Sequence, residues 1–134
     1  MSKGHERHHE RHHGLSLYGK DLVRRCSSHC ELCDAHGVKL SIYEVPPIPI
    51  EPDLAHCTMI CDLCLQQIEK PKLRDNNHWR CLNYSIWSEV PAVKVLAVAM
   101  LNKLAAEERW AVELQEQLYL ENDTLEWLAK VELP

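Results

Sequence analysis

The sequence predicts an α+β fold: a small four-cysteine module with short β-strands, followed by a helical C-terminal part. Three observations carry this reading. Two Cys-x-x-Cys pairs, Cys30/Cys33 and Cys61/Cys64, stand 27 residues apart. Between them lie a partly alternating stretch and a proline-rich loop, which suit short strands rather than a helix. From Ser88 onward, apolar residues recur at helical spacing.

The 134 residues allow one domain, or one domain with a helical extension. The net charge of -5 is unevenly spread. Residues 1–25 carry six Lys/Arg against three Asp/Glu, residues 26–100 six against nine, and residues 101–134 three against eight. Affinity for phosphates normally requires a basic face, and only the first 25 residues offer one. Seven cysteines are too many to ignore and, being odd in number, do not make a fully paired disulfide framework. The N-terminus is polar and shows no apolar leader. The longest apolar run, Val95–Leu101, is far short of the roughly 20 residues that span a bilayer. The expected setting is therefore a reducing cytoplasm, with no membrane, where paired cysteines read as metal ligands.

Residues 1–14 are expected to be a disordered His-rich tail, because they offer almost nothing apolar to bury. His5, His8, His9, His12 and His13 in that tail also suit weak metal binding. Residues 15–87 are assigned to the metal-binding module. It opens with a short amphipathic helix over Leu15–Ser27, on the spacing of Leu15, Leu17, Tyr18, Leu22 and Val23. Val38–Val45 suggests a strand, with Val38, Leu40 and Ile42 on one face. Pro46, Pro47, Pro49 and Pro52 then make an irregular loop that cannot enter a sheet interior. A second strand is expected over His56–Ile60 and a helix over Leu63–Glu69. Lys70–Trp87 is expected to be a loop that packs back through Trp79, Tyr84 and Trp87.

Residues 88–134 read as a helical extension packed on the module. Its first helix spans Ser88–Leu104, with Ser88 as N-cap and Pro91 in the first turn, where a missing N–H costs little. That helix is apolar on nearly every side, so it is either buried or a partner surface. A second helix is expected over Ala106–Leu120, with Trp110, Leu114 and Leu118 in one stripe and Glu107, Glu108, Glu113 and Glu116 on the wet face. A third begins at Asp123, with Glu126 completing a capping box.

The chemistry is concentrated in Cys30-Glu-Leu-Cys33 and Cys61-Asp-Leu-Cys64. Zn2+ favours tetrahedral sulfur coordination, and each tight Cys-x-x-Cys turn delivers two thiolates. The spacer exceeds the common length of about 15–20 residues, but a hairpin can close it. Four cysteines leave no open coordination position, so the site is structural rather than catalytic. The rival readings are two disulfides, a redox pair and an iron–sulfur cluster. No signal points to an oxidising compartment, and the βαβ context of a redox pair is missing. The iron–sulfur cluster is the more serious rival. Cys26, Cys57 and Cys81 read as ordinary thiols, and His29, His36, His56 and His78 as surface or packing histidines; the weaker alternatives are Cys26 or Cys57 substituting for a ligand and one of these histidines serving as a ligand or catalytic base.

Several segments together resemble a known family: CELCDAHGVKLSIYEVPPIPIEPD, CDLC, NHWRCLNYSIWSEVPAVKV and LYLENDTLEWL. They are similar to the N-terminal zinc-ribbon part of the PhnA-type proteins, a family named after an alkylphosphonate-utilisation operon. The resemblance covers about residues 15–130. It implies a zinc-binding domain with Cys30, Cys33, Cys61 and Cys64 as ligands. Longer members carry a further small β-barrel domain, which is not expected in a chain ending at Pro134, and the operon name defines no reaction. A more distant resemblance is to the treble-clef scaffold of HNH nucleases. Such a site needs a His general base before the proline loop, where this chain has Tyr43-Glu44-Val45, and a His after the second knuckle, where it has Leu65.

The leading expectation is a non-enzymatic zinc-binding module that acts in interactions, through a protein partner or self-association by its C-terminal helices. One alternative is a divergent nuclease using Glu44 and His56. Another is nucleic-acid binding through Lys3, Arg7, Arg11, Lys20, Arg24 and Arg25.

Overall fold

Helix α1 (Gly19–Cys26) forms where Asp21 complements the first turn and Arg24 and Arg25 the last. It buries Leu22 and stops at Ser27, which turns left-handed at φ 53°. The N–H groups of Ser27 and Ser28 fold back onto the carbonyls of Arg24 and Val23. The expected helix over Leu15–Ser27 is thus shorter, preceded by a separate helical turn at His13–Ser16. These features come from a computed structural model that describes Arg11 and residues 13–134. Most of the His-rich tail, including His5, His8, His9 and His12, lies outside the described residues.

Strands β1 (Leu40–Glu44) and β2 (Cys57–Cys61) pair antiparallel, with Leu40 opposite Cys61, Ile42 opposite Met59 and Glu44 opposite Cys57. The fold is therefore α+β, with one two-stranded sheet among the described residues. Leu40 and Ile42 pack with Leu22, Cys57 and Met59 in a small cluster beneath α1. Val38, expected on that face, precedes the strand and is half exposed. All five residues of β2 are buried, because α1 covers one side and the main core the other.

The proline loop between the strands illustrates how a donor-poor segment is held. Its carbonyls take hydrogen bonds from distant side chains. The Arg11 guanidinium donates to Ile50 O at 2.9 Å, the Tyr18 hydroxyl to Pro52 O at 3.1 Å, and the Trp127 indole N–H to Pro46 O at 2.9 Å. Prolines remove backbone donors, and these three side chains supply the missing partners.

Helix α2 (Asp62–Glu69) continues directly from β2 with Cys61 as its N-cap, and buries Cys64, Gln67 and Ile68. The expected loop over 70–87 is instead mostly short helical turns: 3₁₀ segments at Pro71–Leu73 and His78–Cys81, then the one-turn helix α3 (Leu82–Ser85). Trp79 packs inward as expected and is fully buried, but Tyr84 is 84% exposed and Trp87 47% exposed. Both lie on the outer side of a turn whose inward positions are taken by Leu82, Ser85 and Ile86.

Helix α4 (Pro91–Leu104) starts three residues later than expected, with Val90 as N-cap and Pro91 at the first helical position. The Ser88 hydroxyl accepts the Val90 N–H at 3.1 Å just outside the helix. Ten of its 14 residues are buried, so its all-round apolar character belongs to the core and not to a partner surface. It is wrapped by α3, by α5 (Arg109–Glu116) and by α6 (Asn122–Ala129), and it also reaches β2. Helix α5 is shorter at both ends than the expected Ala106–Leu120, but Leu114 is buried and Trp110 and Leu118 flank it against the core. The capping box at Asp123 does not form: α6 begins one residue earlier, at Asn122, with Glu121 as N-cap and no side-chain cap. Glu107 and Glu108, expected on a wet face, both take hydrogen bonds from the Asn76 amide, at 3.0 and 3.1 Å. One buried cluster runs from Cys30, Leu32, Cys61 and Cys64 through Trp79 into α4 and α5. No helix among the described residues is long and apolar enough to cross a membrane.

Candidate metal centre

The two Cys-x-x-Cys pairs reach the site by different local structures. Cys30–Cys33 is a tight turn in which the Cys33 N–H points at Cys30 Sγ at 3.5 Å, and the Cys30 N–H donates to Ala35 O at 2.8 Å. Asp34 closes the turn at φ 66°, a left-handed conformation that Asp tolerates better than most side chains. Cys61 and Cys64 instead straddle the start of α2.

The hairpin of β1 and β2 brings these two turns together. The four sulfurs lie within 4.8 Å of one another. Cys30 Sγ stands 3.8 Å from Cys64 Sγ, and Cys33 Sγ stands 3.6 Å from Cys61 Sγ. A sulfur tetrahedron around one ion, with bonds of about 2.3 Å, has edges of about 3.8 Å. The donor set therefore fits a single tetrahedral cation. A disulfide would need about 2.05 Å; neither of these cross-pairs meets it, and all four cysteines are free. A polynuclear iron–sulfur cluster places bridging sulfides between its irons and spreads its thiolates further apart.

Cys30, Cys61 and Cys64 are buried and Cys33 is partly exposed. As bare thiols the group is strained electrostatically. Hydrogen bonds from Cys33 and then Cys64 hold Cys30 well below the ordinary thiol range. The same sharing pushes Cys33 up to about 12, and pushes Cys64 up as well. Thiolates this close repel, so the sulfurs either keep protons or surround a cation.

The other candidate residues do not join the cluster. Cys26 and Cys57 donate to the carbonyls of Val23 at 3.7 Å and Asp53 at 3.3 Å. Burial pushes the Cys57 thiol up to about 11 and the Cys81 thiol up to about 12. His29 pairs with Asp34 at 2.9 Å and stacks on His36. His56 bonds Val45 O through Nδ1 at 3.0 Å and lies against Trp127. Glu44 is ion-paired with Arg11 through both carboxylate oxygens. Glu44 and His56 therefore do not converge on a metal, and the cysteine cluster is the one candidate metal site among the described residues.

Two further residues stand beside the site: Glu31, which the sequence reading does not single out, and His78, which it offers only as an alternative ligand or base. His78 places Nε2 3.3 Å from Cys64 Sγ. Burial lowers its imidazole below the ordinary value, against the attraction of Cys30 and Asp75. Glu31, inside the first knuckle, accepts two hydrogen bonds from Arg25, at 2.7 and 3.1 Å, and one from the Met59 N–H at 2.9 Å. Arg25 also donates to Cys57 O at 2.8 Å. Glu31 thereby ties α1 and β2 to the knuckle. Glu31→Ala is expected to cost about 2 kcal/mol, since bonds to charged groups contribute about 1.5–3 kcal/mol and two donors lose their acceptor. Denaturant titration at saturating zinc measures it; an unchanged midpoint would contradict the tie.

No family model matches the chain, and no curated protein or solved structure matches it either. Fold and site together define an α+β protein with a tight four-cysteine cluster able to hold a metal ion.

Proposed function

We propose that this chain is a non-enzymatic zinc-binding module, with one structural Zn2+ held by Cys30, Cys33, Cys61 and Cys64. The observation that carries the reading is the closeness of four sulfurs contributed by a turn and by a helix start. A knuckle, a hairpin and a helix that together supply the ligands also support a treble-clef or zinc-ribbon assignment. Kinship with the PhnA-type family is part of the proposal and rests on the quoted sequence segments alone. Zinc is the first assignment because closed four-cysteine shells are the usual structural zinc sites; a lone iron would fit the same shell, and the metal content separates the two.

The test is elemental analysis of protein purified without added metal. One zinc per chain is expected. Iron in its place, or less than a tenth of an equivalent of any metal, overturns the assignment.

The nuclease alternative is not favoured, because Glu44 and His56 are engaged elsewhere. Nucleic-acid binding through the basic N-terminal residues loses two of its cations to internal pairs, Arg11 with Glu44 and Arg25 with Glu31. With α4 buried, self-association or a protein partner would have to use exposed apolar residues of the other C-terminal elements, such as Val112, Tyr119 and Leu125. A monomer at high concentration by solution mass measurement excludes the self-association form.

A further inference from the structure

Four sulfurs complete a tetrahedral shell, yet a fifth polar group reaches it. His78 lies 14 residues beyond Cys64, with Nε2 3.3 Å from Cys64 Sγ. Its place does not depend on that contact. The His78 backbone N–H donates to Asp75 O at 3.0 Å. The imidazole also stands edge-on to the buried Trp79 ring, at 81° with centroids 5.2 Å apart. Trp79 in turn is fixed by its indole N–H to Gln67 Oε1 at 2.8 Å. The chain from Gln67 through Trp79 therefore sets where the imidazole sits.

A metal-bound thiolate has lone pairs and no proton, so the hydrogen between these two atoms belongs to the imidazole. We propose that His78 is a positioning residue that donates its Nε2–H to the metal-bound Cys64 thiolate. This rests on the metal reading above. The hydrogen bond withdraws charge from one sulfur, fixes its lone pairs relative to the ion, and slows release of the metal. Outer-shell partners of metal ligands commonly change affinity by about 10–100-fold. Cys64 is the ligand best placed for this device: it is fully buried, and no water can donate to it in place of the histidine.

The test uses the full chain loaded with Co2+ as a spectroscopic substitute. Wild type is expected to show the sulfur-to-cobalt charge-transfer bands of a four-thiolate site; their absence removes the metal reading itself. In His78→Phe the intensity of those bands is expected to persist. Their energy falls, because the Cys64 sulfur becomes more electron-rich, and release to a chelator quickens about ten-fold. His78→Gln, which keeps an N–H donor, is expected to recover much of the wild-type rate. If His78→Phe does not fold, His78→Ala carries the comparison. Band energy and release rate unchanged in the variants would overturn the role of His78 and leave the metal site standing. A change in the ligand-field bands that marks loss of a nitrogen ligand would overturn it differently, by making His78 a ligand itself.

Discussion

Cys61→Ser is expected to abolish stoichiometric zinc binding and to unfold β1, β2 and α2, with loosening of α4. The size of the effect follows from two magnitudes. Structural zinc contributes about 10–16 kcal/mol of apparent binding free energy in small zinc-dependent peptides. The net stability of a typical domain is only about 5–15 kcal/mol. Cys30, Cys61 and Cys64 belong to the same buried cluster as Trp79, Leu96 and Leu101, so the damage is not confined to the knuckles. Without the ion, the sulfurs must stay protonated or repel one another. A strong chelator added to wild type should give the same state. Far-UV circular dichroism during a thermal scan, with zinc content measured in parallel, reads both. Cys26→Ser is the control, since Cys26 lies outside the four-sulfur cluster: its thiol bonds the Val23 carbonyl and it packs at the edge of the small core around Leu22. A cooperative melt at an unchanged temperature in excess chelator would show that the fold does not depend on metal.

The parts of this architecture legible in the sequence are those set by local patterns. The spacing of each Cys-x-x-Cys pair identifies the knuckles because two residues are what a tight turn needs between two ligands. The alternation at Leu40 and Ile42 marks β1, and the unbroken apolar run marks α4 as core or partner surface, between which the packing chooses the core. What the sequence hides are choices made by tertiary packing. Nothing local tells whether Trp79, Tyr84 or Trp87 turns inward; the helical phase of 78–86 decides it, and that phase gives the core to Trp79, Leu82 and Ile86. Ser88 looks like an N-cap, but the helix waits for Pro91, whose ring favours the first helical position. Glu31 and His78 carry no spacing signature at all. One is separated from Met59 by 28 residues and the other from Cys64 by 14, and only the closed hairpin and the turn after α2 bring them to the site.

Trp79→Ala is expected to produce the largest loss among substitutions that leave every cysteine in place. The side chain is fully buried between the metal site and α4. Replacing a buried tryptophan by alanine typically costs about 3–5 kcal/mol, from lost transfer free energy and the cavity left behind. The polar end adds to this. Gln67 Oε1 accepts both the Trp79 indole N–H and the Asp75 backbone N–H, each at 2.8 Å. Truncation leaves it one partner in a buried position. Trp79→Phe separates the two contributions: it keeps most of the apolar area and loses only the indole bond, so about 1 kcal/mol is expected. Both variants are to be unfolded in denaturant at a fixed free zinc concentration, because metal binding otherwise shifts the apparent stability by mass action. The alanine variant should also release its metal faster, since the ring that His78 leans on is gone. A midpoint for Trp79→Ala equal to that of wild type would mean that the packing between the knuckles and α4 contributes little. The C-terminal helices would then stand largely independent of the cysteine cluster.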